Sequence, residues 1–346
     1  MKVVHILNTG FYSGAENVAI SIIENIDKEI ESIYISLKGP IERVLQEKKI
    51  KYYLVDKLTP LSIKNILDRE KPDLIHAHDF TASIISFTVA NKIPIISHLH
   101  NNPPWIKKIN IKSIIYGITC MKYKKILTVS SSVMKEYIFG KIFTKKTIIV
   151  GNPINIYRIK QRAKEAECSE IFDIIYLGRF TKQKDPEKFL EIIKEIVKKI
   201  PKIRVGMIGT GEMYNFIENE IKNMELQNNI RCMGFIENPY KILENTQLLC
   251  IPSKWEGFGL VAIEALALGK PVVASNVGGL PKIINNEVGK ICRTTKEYIE
   301  EIYKLLTDKN YYKLKNYNAK KRAELLHNEH SYLLKLKEIY KSLIKD

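Results

Sequence analysis

Short runs of apolar, often β-branched residues alternate along the chain with longer stretches in which apolar positions recur every three or four residues. The short runs predict strands at Val3–Asn8, Ile33–Leu37, Tyr52–Val55, Leu74–His78, Pro94–His100, Ile126–Val129 and Thr147–Val150. A helix is predicted over Ala15–Ile26, after a Ser13-Gly14 turn. Strand-helix-strand alternation implies a parallel sheet covered on both faces, with right-handed connections. The pattern pauses from Asn155 to Glu170, a polar and charged stretch that reads as a linker. It resumes with strands at Ile171–Gly178, Arg204–Gly209, Ile230–Gly234, Leu248–Pro252, Pro271–Ser275 and Val288–Cys292, and helices follow Lys296. The fold class is therefore α/β, with two Rossmann-like, doubly wound domains at 1–155 and 171–328 joined by 156–170. Ligands of such sheets bind beyond the C-terminal ends of the strands, so the expected site is a cleft between the domains.

Composition narrows the class. The chain has 346 residues, 45% apolar and 27% charged, which suits globular domains. Its apolar stretches are too short for a membrane span, and the run at Met1–Leu7 is too short for a signal peptide. Five cysteines, none in a C-x-x-C pair, rule out a disulfide scaffold or zinc ribbon and fit a reducing cytoplasm.

The net charge of +17 is uneven. Residues 80–164 hold 15 Lys and Arg against one acid, Glu136, a local net charge of +14. Such a face attracts phosphate, whether of nucleic acid, an anionic bilayer or a substrate. Within it, Ile106, Ile109, Ile114, Ile115, Ile118 and Met121 approximate one helical face, with Trp105 at its start and six flanking lysines. This suits a helix lying in a membrane interface. It equally suits a helix covering a sheet with its lysines in water. No zinc-finger, RNA-motif or helix-turn-helix signature accompanies the lysines, which argues against nucleic acid as a partner.

Candidate chemistry gathers at strand ends. In PSKWEGFGLVAIEALALGKP, a strand ends at Pro252, a glycine-containing turn follows, and an apolar helix carries one charge, Glu264. A carboxylate among apolar neighbours needs a hydrogen-bonding partner, and a pair of ribose hydroxyls would serve. Glu256 lies in the preceding loop, while Gly257 and Gly259 permit close backbone approach. The plainer alternatives are a helix-dipole partner and an exposed loop glutamate. Arg179 and Lys184, in GRFTKQK, place two cations at a strand end, as a diphosphate requires, although surface cations are common. Gly209-Thr210-Gly211 is a further tight strand-to-helix turn. Gly14, at the start of the first helix, could let backbone approach phosphate or simply form a turn. His76, His78, His98 and His100 come as two i, i+2 pairs at strand ends, so each pair shares a face. A four-histidine zinc site is conceivable; the favoured reading has one or two of them as polar or proton-handling groups in the cleft and the others packed. No D-x-D occurs to hold a divalent ion, so no metal and no cofactor is expected.

These motifs in this order resemble the retaining, two-domain GT-B glycosyltransferases of family 4 (glycosyl transferases group 1), of the bacterial surface-polysaccharide type. The resemblance spans nearly the whole chain. It rests on the E-x7-E element Glu256 to Glu264 together with GRFTKQK, GTG, MGFIEN, SNVGGLPKII, SGAE and HLHN. It implies that the second domain binds a nucleotide-sugar, commonly a UDP-sugar. Arg179 and Lys184 would hold the phosphates, and Glu264 the ribose. Glu256 and the backbone of Phe258, Gly259 and Leu260 would hold the sugar. Gly14 would approach the diphosphate, and His100 would lie near the reacting sugar. The final helix, 329–346, would cross back to the first domain, which receives the acceptor. Three positions depart from the family pattern: Lys282 after Pro281 where Glu is usual, Ser13 where a second Gly is common, and Asp185 in place of Gly after Lys184.

The expectation is a retaining, metal-independent hexosyltransferase, cytoplasmic or peripheral on the inner face of the plasma membrane, acting on a lipid-linked hydroxyl acceptor. The alternatives are a cytosolic transferase with a small soluble acceptor, and a basic nucleic-acid-binding α/β protein.

Overall fold

The computed structural model describes residues 1–167 and 170–344. The chain divides into two compact units, Met1–Pro153 with Asn328–Asp346, and Ile154–His327.

In the first unit, strands β1 (Lys2–Ile6), β2 (Glu31–Leu37), β3 (Tyr52–Val55), β4 (Leu74–Ala77), β5 (Ile95–Leu99), β6 (Lys125–Thr128) and β7 (Thr147–Ile149) form one parallel sheet. Their order is β3-β2-β1-β4-β5-β6-β7. The helices between them are α1 (Gly14–Asn25), α2 (Ile41–Glu47), α3 (Pro60–Glu70), α4 (Phe80–Val89), α5 (Ile111–Cys120) and α6 (Ser131–Glu136). Strand interiors such as Val3, Val4, Ile33, Ile35, Leu74 and Ile75 are wholly buried, as parallel strands covered on both faces must be.

The second unit opens with α7 (Ile156–Glu165). Its strands are β8 (Ile174–Leu177), β9 (Val205–Ile208), β10 (Ile230–Cys232), β11 (Leu248–Ile251), β12 (Val272–Ser275) and β13 (Gly289–Cys292), ordered β10-β9-β8-β11-β12-β13. Helices α8 (Pro186–Lys199), α9 (Tyr214–Asn223), α10 (Tyr240–Glu244), α11 (Leu260–Ala267), α12 (Leu280–Ile283), α13 (Thr295–Thr307) and α14 (Lys309–Leu326) cover it. Then α15 (Glu329–Ile344) belongs to the first unit, where Tyr332, Leu336 and Tyr340 are buried.

The segment read as a linker is different. Ile156–Glu165 is helical, and Ile156 and Ala163 join the core cluster of the second unit beside Ala262 and Leu266. Two buried residues suffice because the helix presents a narrow apolar edge and leaves its charges in water. Cys168 and Ser169, in the same stretch, lie outside the described residues.

Helix α5 has the expected period but the opposite orientation to a sheet-covering helix. Its buried positions are Ser113, Tyr116, Thr119 and Cys120. Ile109, Ile111, Ile114, Ile115, Ile118 and Met121 are 70%, 76%, 41%, 42%, 57% and 73% exposed. Ile106 alone of the expected apolar face is buried. Trp105 is half-buried, its ring edge-on to Phe80 at 4.8 Å. The inward polar groups are satisfied: Ser113 Oγ donates to the Lys108 carbonyl at 2.9 Å and Tyr123 donates to Thr119 Oγ1 at 2.7 Å.

Candidate functional site

Both sheets reverse direction once. In the first, β1 is flanked by β2 and β4; in the second, β8 is flanked by β9 and β11. Connections leave such a point in opposite senses and open a crevice beyond the strand ends. The chemistry-bearing residues of each unit collect there.

In the second unit, Gly178 and Arg179 follow β8, and Arg179 is exposed. The turn after β9 packs against this loop: Gly178 N–H donates to the Ile208 carbonyl at 3.0 Å and Phe180 N–H to the Thr210 carbonyl at 2.9 Å. Gly209, at φ +138°, has no room for a side chain, since a Cβ there would lie 2.0 Å from the Gly178 carbonyl oxygen. Gly211 is equally confined, with the Phe180 oxygen 2.4 Å from a Cβ position. The two glycines therefore hold the Arg179 loop down.

Lys184 lies before α8. Its neighbour Asp185 has φ +50° and ψ +58°, the left-handed region where glycine fits at least cost. Asp is among the few other residues that enter it readily. Its carboxylate pairs with Lys254 at 3.1 Å, so the departure from glycine keeps the backbone turn and adds an ion pair.

Lys184 Nζ is hydrogen-bonded to Glu256 Oε2, and both side chains are mostly buried. The family resemblance assigns these two residues to phosphate and sugar but does not pair them. The Glu256 loop is braced from two sides. Lys254 N–H donates to the Gln183 carbonyl at 2.8 Å, and Gln183 Nε2 donates to the Trp255 carbonyl at 3.2 Å. Gly259, at φ +100°, caps α11 and lies against Leu280. Phe258, Gly259 and Leu260 thus bring their backbone to the start of α11.

Glu264 lies one turn into α11. Burial pushes its carboxyl above the ordinary range, while the Tyr240 hydroxyl, Arg162 and Lys184 pull it down. Tyr240 donates to Oε1 at 3.2 Å, and the Arg162 guanidinium stacks over the Tyr240 ring at 5.2 Å. Tyr240 and Arg162 are supporting residues the sequence reading missed. Arg162 was hidden by the linker assignment; the Ile156, Ile159, Ala163 spacing was the available signal for a helix.

In the first unit, Gly14 is exposed and begins α1, with Ser13 Oγ donating to Glu16 at 2.5 Å. The histidines gather at the ends of β1, β4 and β5, joined by a fifth, His5, whose register partner on β4 is His76. His5, His76, His78 and His98 are fully buried; His100 is partly exposed. Two triplets, His5-His76-His78 and His78-His98-His100, have ring nitrogens within 4.8 Å of one another. Their nitrogens bond each other: His5 Nδ1 to His78 Nε2 at 2.9 Å, His78 Nδ1 to His100 Nε2 at 3.1 Å, and His76 Nε2 to His98 Nδ1 at 3.1 Å. Tyr340 on α15 closes the second row at His76 Nδ1, 2.5 Å away. Burial holds His5 and His100 down at about 3 and His76, His78 and His98 well below the usual imidazole range. The rings are therefore neutral, and the arrangement is a hydrogen-bonded array. Asp79, which follows His78 in the chain, is engaged by the backbone N–H groups of Asn8 and Ala82.

Two α/β units, each with a parallel sheet that opens a crevice at its own switch point, define the class of proteins with the GT-B fold. Residues 157–322 match the family model of glycosyl transferases group 1, and residues 12–158 that of glycosyltransferase family 4. An uncharacterized glycosyltransferase of Methanocaldococcus jannaschii is 30% identical over 76% of this chain and 73% of its own length. The chain belongs to this glycosyltransferase family. An Escherichia coli UDP-Gal:α-D-GlcNAc-diphosphoundecaprenol α-1,3-galactosyltransferase is 23% identical over 83% of this chain and 82% of its own. The structure of Anabaena HepE in complex with UDP-glucose superposes with a TM-score of 0.86 at 18% identity, covering 99% of this chain and 100% of that one.

Proposed function

We propose that the chain is a retaining hexosyltransferase that uses a UDP-sugar to glycosylate a lipid-linked hydroxyl acceptor at the cytoplasmic face of a membrane, in surface-polysaccharide assembly. Arg179 and Lys184 hold the diphosphate. Glu264 accepts from the ribose hydroxyls. Glu256 and the backbone at Phe258, Gly259 and Leu260 hold the sugar, with Gly209 and Gly211 fixing the phosphate loop. Gly14 is assigned to the diphosphate and His100 to the reacting sugar. Transfer proceeds on one face of the sugar: the bond from the anomeric carbon to phosphate oxygen breaks, the bond to the acceptor oxygen forms, and the acceptor's proton passes to the departing phosphate. Arg179 and Lys184 stabilise the charge that develops there. Family membership and the E. coli relative's undecaprenol-linked substrate support the reading.

The observation that carries the membrane half is α5. Six apolar side chains from Ile109 to Met121 are exposed on a segment that carries Lys112 and is flanked by Lys107, Lys108, Lys122, Lys124 and Lys125. An apolar stripe rimmed by lysines matches an anionic bilayer in both chemistries. No helix among the described residues is long and apolar enough to cross a membrane, so the contact proposed is interfacial. Cosedimentation with phosphatidylglycerol vesicles is expected at low salt, falling as salt rises. Neutral vesicles are expected to bind little. Ile114→Ser with Ile118→Ser, or Lys108, Lys112 and Lys124 changed to Gln, should each reduce vesicle binding and leave UDP binding intact. If the unmodified protein ignores anionic vesicles at low salt, the soluble-acceptor reading replaces this one.

The donor half is tested at Glu264. Glu264→Gln should weaken UDP binding in calorimetry by about 1–3 kcal/mol, the worth of a charged hydrogen bond. Because burial raises the carboxyl, UDP affinity of the unmodified protein should fall on acidification sooner than an ordinary glutamate would cause, as the acceptor oxygen is protonated. Glu264→Gln should abolish that pH dependence. Unchanged affinity in the variant would remove the ribose assignment.

A further inference from the structure

The two oxygens of the Glu264 carboxylate are not equivalent. Oε1 accepts from the Tyr240 hydroxyl at 3.2 Å. Oε2 takes no hydrogen bond among the described residues, and the side chain is partly exposed. The cation beside this pair, Arg162, makes no ion pair with Glu264 among the described residues. Its guanidinium lies over the Tyr240 ring instead, 5.2 Å from the centroid.

We propose that Tyr240 and Arg162 are positioning residues for the donor: Tyr240 occupies Oε1, Arg162 holds and polarises Tyr240 from the face of its ring, and Oε2 is thereby left as a charged, unshared acceptor for a ribose hydroxyl. The inference rests on the ribose reading of Glu264 above.

Three observations carry it. The first is the interposed ring. A direct Arg162–Glu264 pair would be two-pronged and would use both carboxylate oxygens. With the phenol between them, the carboxylate receives one hydrogen bond and a nearby positive charge, and one oxygen stays available. The second is how firmly Arg162 is held. Its Nη2 donates to the Glu237 carbonyl at 3.1 Å, and its own carbonyl accepts from Asn238 Nδ2 at 2.8 Å. Asn238 Oδ1 in turn accepts from the Tyr240 N–H at 3.4 Å, so one side chain fastens α7 to the start of α10. The third is the setting. A carboxylate among the apolar residues of α11 keeps its charge only where a donor and a cation offset the loss of water. Burial is the main influence on Glu264 and favours the neutral acid; Tyr240, Arg162 and Lys184 oppose it.

The other charges on elements packed against α11 are engaged elsewhere. Lys184 is bonded to Glu256. On α10, Lys241 and Glu244 pair with each other at 2.9 Å. On α14, Arg322 donates to the Ile283 carbonyl at 3.1 Å, and the Lys320 chain lies against Gly269. Lys282, on α12, is exposed. Tyr240 and Arg162 are therefore the pair whose removal Glu264 should register.

The test follows Glu264 in two ways. Its carboxyl is titrated by ¹³C spectra of the full-length, ¹³C-glutamate-labelled protein without ligand, over the range in which circular dichroism shows the chain folded. Its signal is the one missing from Glu264→Gln. UDP affinity is measured by calorimetry over the same range, and the titration of UDP's own phosphate is common to every variant. Tyr240→Phe keeps the ring and removes the donor. It should raise the Glu264 midpoint, and the pH below which UDP affinity declines, by about one unit. Arg162→Gln should raise both by about half a unit, since its charge acts from behind the ring. Arg162→Lys keeps a cation for the ring and should return most of that shift. Above neutral pH, UDP affinity should fall only a few-fold in all three. A role in packing alone would weaken UDP at every pH without moving the midpoint. A Glu264 midpoint unchanged in folded Tyr240→Phe overturns the proposal. So does an Arg162→Lys variant that titrates like Arg162→Gln, because anchoring and not charge would then be at work. Should Tyr240→Phe not fold, the two Arg162 variants decide between these outcomes. If UDP binds Glu264→Gln as tightly as the unmodified protein, the ribose reading fails by itself, and the ¹³C midpoints alone judge whether Tyr240 and Arg162 set the state of Glu264.

Discussion

Alanine at Arg179 or at Lys184 is expected to lower turnover by about two to three orders of magnitude, as for other preorganised groups facing transition-state charge. The two cations are held differently. Arg179 is exposed on a loop that Gly209 and Gly211 fasten from below. Lys184 is mostly buried and already bonded to Glu256. Arg179→Lys should recover only part of the loss, since a point charge cannot reproduce the two-pronged contact of a guanidinium. Lys184→Ala also strands the Glu256 carboxylate, so its effect on folding must be measured beside its effect on kcat. If either alanine variant keeps turnover within a few-fold of the unmodified protein, the phosphate assignment is wrong for that residue. Activity is expected to survive EDTA. Complete loss reversed by Mg²⁺ would move the charge-neutralising role from these side chains to a metal.

The second large effect is on stability against acid. His5 and His100 titrate near the usual 6.5 when unfolded and at about 3 when folded. The unfolded chain therefore binds protons that the folded chain refuses, and stability falls as pH drops below about 6.5, continuing down to about 3. Each such histidine costs about 1.3 kcal/mol between pH 7 and pH 5.5, so the two together cost about 2.5 kcal/mol. His76, His78 and His98 are lowered for the same reason and add in the same sense. Asp79 follows His78 and caps α4, and burial raises its carboxyl, which opposes the trend only once the carboxyl range is approached. A domain of this size has about 5–15 kcal/mol to lose. Denaturant midpoints of the first unit should therefore drop steeply between pH 7 and pH 5.5. A flat profile over that interval would mean the array is not buried and neutral.

Most of the strand pattern was legible because a parallel strand covered on both faces must be apolar throughout, and few other segments are. The expected and observed strands agree to within two residues at every end except the start of β8, where they differ by three. What sequence could not deliver was partnership. The period of α5 was readable, but periodicity identifies an apolar face without saying whether protein or something else covers it. Helix α7 was missed because its apolar edge is narrow and its composition is that of a loop. Glu256, Lys184 and Glu264 stood out through spacing and context, yet the Lys184–Glu256 pair and the Tyr240–Glu264 bond join residues 72 and 24 positions apart. His5 belongs to the array only because β1 lies beside β4, so it had no local signal. The strand order at the switch point was the one inference that would have reached it.

The placement of α15 has a consequence for biosynthesis. Residues 1–153 begin the first unit, but Tyr332, Leu336 and Tyr340, which complete its interior, come from residues 328–346, made after the whole of the second unit, and Tyr340 bonds His76. The second unit, 154–327, contains all its own strands and emerges before that stretch. Domains usually finish in the order they are made. Here the order is inverted: the half synthesised first waits, with a gap over its histidines, until the half synthesised second is already complete.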